Sequence, residues 1–219
     1  MTAQAVRTGS NLSLADRAAL ELESRLVRLH YPPGALLQEK NLADQLGLGR
    51  TPVREAVLQI ARGGLIRILP RKGLLVAPVS REELQQVLET RRVLERLLVV
   101  KAAERASADQ RRNLGQLATS MGNVGRDVDM FFRLDRQLDQ VMEESCRNPY
   151  LVSALGPLHS HCRRLWYLAS EQFDLDTAVE LHVSLAQAVA GQDASGAIRS
   201  VNGIIATLDR QLGALDVIS

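Results

Sequence analysis

Between Gly49 and Gly73 the chain reads GRTPVREAVLQIARGGLIRILPRKG, and the order of parts in this segment leaves few folds open. Thr51 is suited to cap orphan amides, and Pro52 suits the first helical position, where a missing N–H costs nothing. Val53, Ala56, Val57 and Ile60 then recur at i, i+3, i+4 and i+7, the stripe of a helix packed on one side. Arg54, Glu55, Leu58 and Arg62 are left to its other faces, and Gly63-Gly64 stops it. An apolar run from Leu65 to Leu69 leads to the basic tip Pro70-Arg71-Lys72-Gly73, and a second run, Leu74 to Ala77, returns. Two short apolar runs around such a tip form a hairpin. A helix followed at once by a basic-tipped hairpin predicts a winged helix-turn-helix.

The upstream residues agree. Ser13 is placed to cap a helix from Leu14 to Leu29, with Leu14, Ala18, Leu22, Leu26 and Leu29 on one face. Tyr31-Pro32-Pro33-Gly34 ends it, since two prolines cannot continue a helix. Leu36 and Leu37 lead into a short helix from Glu39 to Leu46, and Gly47 supplies the turn. In this architecture the helix that enters the major groove presents its N-terminal residues to base edges, here Arg50, Thr51 and Arg54. Arginine bonds two acceptors on guanine at once or clamps phosphate. Arg71 and Lys72 would meet phosphate or minor groove from the wing.

Charge is distributed to match. The net charge of the 219 residues is only +2, but residues 1–78 hold 11 Lys/Arg against 6 Asp/Glu, and residues 79–219 hold 16 against 19. The basic surplus lies where attraction to phosphate needs it. A composition 46% hydrophobic and 3% aromatic favours helices and supports two cores. The boundaries read as a flexible N-terminus over 1–12, a winged helix over 13–78 and a helical domain over 79–219. Cys146 and Cys162 have no metal-binding spacing and read as reduced thiols. The opening MTAQAVRTGSNLS lacks a signal-peptide core, and no apolar run reaches the roughly 18 residues of a membrane span. A cytoplasmic protein is expected.

Beyond Ser80 the pattern is helical throughout. Ser80 and Glu83 form a capping box for a helix running to about Ala106, and further helices are expected over 108–121, 127–146, 150–170, 177–191 and 194–215. Polar residues on the apolar stripes carry the information. Arg91 and Glu95 share a stripe with Leu84, Leu88, Leu98 and Ala102, and a buried charge needs a partner. Asp135 lies among Val128, Phe131, Leu138 and Met142, with Asp139 one turn on. Two such carboxylates repel unless a cation or proton intervenes. His182 shares a face with Ala178, Leu185 and Val189. Polar groups converging inside a helical bundle point to a site for a polar ligand or a metal.

LVRLHYPPGALLQEKNLADQLGLGRTPVREAVLQIARGGLIRILPRKGLLV resembles the winged helix-turn-helix of GntR-type bacterial transcriptional regulators over roughly residues 10–78. PPG, LADQLG, RTPVREA, the GGLI turn and the RKG wing fall in family order. The resemblance assigns DNA contact to Lys40, Arg50, Thr51, Arg54, Arg71, Lys72 and Gly73. Gly49 stands where the family has a small hydroxyl residue. VLETRRVLE, FFRLDRQLD, the RNPYL turn and LHVSLAQAVAGQDASGA make residues 82–215 similar to the FCD effector-binding domain of the FadR-like subfamily. Many such domains hold a divalent metal through Asp, a His four residues later and two further His, and the metal holds a small organic acid. Here Asp135 matches the first ligand and His182 the third, while Asp139 replaces the second and Ile204 the fourth.

The expected protein is therefore a mainly α homodimeric regulator, not an enzyme. It binds a palindromic operator and responds to a small polar metabolite, an organic acid first among them. Arg91, Asp135, Asp139 and His182 are its effector residues, with Zn, Ni or Mn on Asp135, Asp139 and His182 as the metal that the resemblance implies. Without a metal, Arg91 would pair with an anionic effector, and the two carboxylates would take an amine or a sugar hydroxyl. The alternatives are a regulator whose signal is the metal itself and a metal-dependent hydrolase using the same three residues. No acid/base or nucleophile motif accompanies the latter.

Overall fold

The computed structural model describes residues 12–169 and 174–214. The expected flexible N-terminus thus falls outside the described residues up to residue 11. Two compact units divide the chain. The first takes residues up to Ser80 together with Arg163–Leu168, and the second takes Arg81–Cys162 and the residues from Ala169 onward.

In the first unit, helix α1 (Leu14–Val27) opens on Ser13 in a full capping box with Asp16. Leu14 is 53% exposed, so the packed stripe begins at Ala18 rather than Leu14. The helix also ends earlier than the prolines suggest. Leu29 has a positive φ of 60°, and the His30 amide donates back to Arg25 O at 2.9 Å. The chain has already left the helix before Pro32 could break it.

A short strand β1 (Leu36–Leu37) precedes α2 (Glu39–Leu46) and α3 (Arg50–Arg62). Strands β2 (Ile66–Leu69) and β3 (Gly73–Val76) form the hairpin, and the sheet order is β1-β3-β2, antiparallel throughout. Strand β1 was not expected, because two residues carry no alternation to read. It exists through its pairing with β3, Leu36 opposite Leu75 and Leu37 opposite Leu74. Helices α1, α2 and α3 and the sheet enclose one core that includes Leu22, Leu26, Leu42, Val53, Val57, Leu74 and Val76. All seven are at most 1% exposed, and burying each such side chain contributes roughly 1.5–3 kcal/mol. Tyr167, from the helical segment that belongs to this unit, packs against the same core. Arg164 there donates from Nη2 to Ala77 O at 2.6 Å.

The second unit is helical: α4 (Arg81–Arg105), α5 (Ala108–Gly122), α6 (Val128–Cys146), the first part of α7 (Pro149–Leu168), α8 (Leu175–Ala190) and α9 (Ala194–Ala214). Its starts are capped as their sequences dictate, by Ser107 with Gln110, by Asp127 and by Asp174. Arg147 in the left-handed region closes α6, and Asn148 Oδ1 accepts from the Leu151 amide at 3.2 Å to open α7. Helix α4 packs on α6, α8 and α9, and α5 packs on α6 and α8. Helices α8 and α9 approach closely because Gly203 faces Leu181, where a Cβ would lie 2.7 Å from Leu181 Cδ2. Cys146 and Cys162 are both buried, and neither is in a disulfide. Among the described residues no helix is long and apolar enough to cross a membrane.

Candidate nucleic-acid interface and effector site

Helix α3 begins one residue before the threonine expected to cap it. Gly49 is the N-cap, with no side-chain hydrogen bond to the first turn, and Thr51 and Pro52 are the second and third helical residues. Proline is tolerated there for the same reason as at the first position, since amides of the first turn have no intrahelical acceptor. The capping assignment to Thr51 is therefore corrected. The consequence is chemical. No side chain covers the helix start and its first turn holds no acid, so its amides and dipole favour an anion.

Val53, Ala56, Val57 and Ile60 are buried as the stripe required. That leaves Arg50, Thr51 and Arg54 exposed, with Arg50 and Arg54 one turn apart on one face. Lys40 is exposed near the start of α2, and Arg71 and Lys72 are exposed at the wing tip. Among the described residues none of these five basic side chains is held in an ion pair. Each carries its charge to solvent, as a phosphate-binding surface needs.

Gly73 serves the wing in another way. It has φ +106°, and a Cβ there would lie 2.6 Å from Leu37 O and 2.8 Å from Gln38 Nε2. The wing tip thus crosses β1 with no room for a side chain, and Gln38 Nε2 donates to Lys72 O at 3.2 Å. Because Gln38 is also the N-cap of α2, the wing tip and the helix bearing Lys40 are tied to one point.

In the second unit, Arg91 and Glu95 are buried on α4, 8% and 2% exposed, as their stripe indicated. Arg91 donates to Glu95 Oε1 from Nε at 3.0 Å and from Nη2 at 2.5 Å. The same oxygen faces His159 Nε2 on α7 at 2.7 Å. His159 is 3% exposed, and its Nδ1 lies 3.2 Å from Asp139 Oδ2 and 3.8 Å from Glu143 Oε1, both on α6. Burial alone would raise the Glu95 pKa, but Arg91 and His159 outweigh it and hold the carboxyl down to about 2. Burial opposes a charged His159 too, yet Asp139 and then Glu95 raise its pKa. For Arg91, burial is again outweighed, by Cys162 and Glu95, and the guanidinium stays charged.

His182 forms a separate contact. Its Nδ1 donates to Ala178 O at 2.6 Å, which leaves Nε2 toward Asp135 Oδ1 at 3.3 Å. Phe131 meets the imidazole edge-on at 5.1 Å between ring centres.

The four expected effector residues thus fall into two groups, Arg91 and Asp139 joined through Glu95 and His159, and Asp135 with His182. His159 and Glu143 were missed, although Leu155, His159, Cys162 and Trp166 lie at helical spacing on one buried stripe of α7 that would have exposed the histidine. The residues implied as metal ligands do not fit a metal. Ile204 is buried on α9 and offers no donor, and Asp139 is engaged by His159. Among the described residues no group of three or more His, Cys, Asp or Glu side chains is arranged so that it could hold a metal ion.

Comparison with known proteins meets this geometry from outside. Residues 14–76 match the model of the bacterial regulatory proteins of the gntR family, and residues 86–207 match that of the FCD domain. The chain is similar to the HTH-type transcriptional regulator YieP of Escherichia coli, 26% identical over 232 residues, covering 96% of this chain and 99% of that one. Its fold is that of E. coli McbR/YncC, with a TM-score of 0.81 at 23% identity over 93% of this chain and 99% of the other. A GntR-type transcriptional regulator from Rhodococcus sp. RHA1 superposes with a TM-score of 0.71 at 16% identity, over 93% and 99%. These relatives are regulators rather than enzymes. The chain belongs to the GntR family of transcriptional regulators, in the FadR-like group where the winged helix is followed by an FCD effector-binding domain.

Proposed function

We propose that the protein acts in the cytoplasm as a homodimer on a palindromic operator, one winged helix to each half-site, and that a small polar metabolite in the helical domain sets its affinity. Two-fold symmetry in the protein calls for two-fold symmetry in the site it reads. The observation that carries the reading is the set of exposed, unpaired cations Lys40, Arg50, Arg54, Arg71 and Lys72 around an acid-free helix start. Arg50, Thr51 and Arg54 read base edges or clamp phosphate, Arg71 and Lys72 grip the backbone, and Gly73 lets the wing sit where it does. The effector shifts operator affinity only through its different affinities for the two arrangements of the heads, typically about 1–3 kcal/mol.

Arg54→Ala tests this. Loss of a bidentate base contact costs about 1–3 kcal/mol, so specific operator binding in a gel shift should weaken by roughly ten- to hundredfold while the protein stays folded. Unchanged affinity would remove Arg54 from the interface. A thermal-shift screen of organic acids, amino acids and sugar acids tests the effector arm, since a ligand that binds the folded state raises its melting temperature.

A further inference from the structure

Three carboxylates from two helices line the buried ring of His159: Glu95 on α4 at Nε2, and Asp139 and Glu143 on α6 at Nδ1. Such a set demands a positive group, and two sources are open, an ion from solution or a side chain of the chain itself. The geometry selects the second. His159 sits between them, with Nε2 at 2.7 Å from Glu95 and Nδ1 at 3.2 Å from Asp139. A neutral imidazole donates from one nitrogen only, whereas a ring facing carboxylates through both nitrogens matches the doubly protonated form. Arg91 supplies a second cation to Glu95.

We infer that His159 is the built-in cation of this domain, tying α4, α6 and α7 together across Glu95 and Asp139, and that the domain holds no divalent metal. The remaining donors cannot replace it. Asp135 and His182 offer only two ligand side chains, one carboxylate and one imidazole, and Ile204 offers nothing. Zinc in proteins has three or four protein ligands. The ring does for Asp139 what a metal would do, offsetting its charge and fixing its direction. This holds whatever effector the domain takes.

The test uses the full chain purified without chelators from medium supplemented with Zn, Ni and Mn. Elemental analysis should find well under one metal per chain. EDTA, or added Zn, Ni or Mn alone, should leave the melting temperature in place. About one tightly held metal per chain, or a rise of several degrees with one of these ions, would overturn the inference. In a second arm, His159→Gln and Asp139→Asn should each lower the melting temperature, and the double variant should fall by clearly less than the sum. Strictly additive losses would show that the two side chains do not act as a pair. Should His159→Gln not fold, the metal content of the native chain decides alone.

Discussion

Replacing Glu95 by glutamine keeps the shape of the side chain and removes only its charge. In the native chain that charge receives Arg91 through two nitrogens and His159 through one, all on a residue 2% exposed. The magnitude follows from the carboxyl's own equilibrium. Carried from its ordinary 4.5 down to about 2, the charged form is favoured in the folded chain by about 3 kcal/mol. An independent figure, the cost of breaking a buried pair by removing one partner, is about 3–5 kcal/mol. The two agree on a loss near 3 kcal/mol, or roughly 6–12 °C in melting temperature for a chain of this size. Urea unfolding followed by helical circular dichroism at neutral pH would measure it.

The acid limb supplies a second check on the same residue. A carboxyl whose folded value is depressed stabilises fully above its unfolded value and ceases to do so as pH falls through the folded one. Native protein should therefore lose this contribution between about pH 4.5 and pH 2, the range set by Glu95. Glu95→Gln should lack that part of the decline. A variant within about 0.5 kcal/mol of native at neutral pH, the scatter of ordinary surface changes, would refute the claim that this carboxylate anchors the cluster.

Two further outcomes concern the DNA-binding unit. Arg71→Ala with Lys72→Ala should weaken operator and random DNA alike and lower the slope of log K against log salt by about 2, since each phosphate contact adds nearly one. An unaltered slope in a salt titration would reject the phosphate grip. Gly73→Ala, placed at φ +106° against Leu37 O, should cost at least about 1–3 kcal/mol from backbone strain alone. It should also weaken DNA binding by displacing the wing, and native-like melting with native operator affinity would show that the tip has room to spare.

Much of this protein was legible in the order of its residues because the relevant signals are local. The stripe Val53, Ala56, Val57, Ile60, the cap at Ser13 and the basic hairpin tip are set by neighbours within one or two turns. So is the inward placement of Arg91, Glu95 and His182, which a period of 3.6 residues fixes before any partner is known. Helix α3 starts two residues before the position that Thr51 and Pro52 indicate, because glycine and threonine both suit an N-cap and local chemistry does not choose between them.

What the tertiary structure alone decided is who meets whom. His159 reaches Glu95 across 64 positions of sequence, and no local pattern encodes a partner that distant. Strand β1 exists only because β3 lies beside it, and Gly73 is forced only because Leu37 passes over it. Helical periodicity states that a charge points inward, but the packing of α4, α6 and α7 determines which opposite charge awaits it.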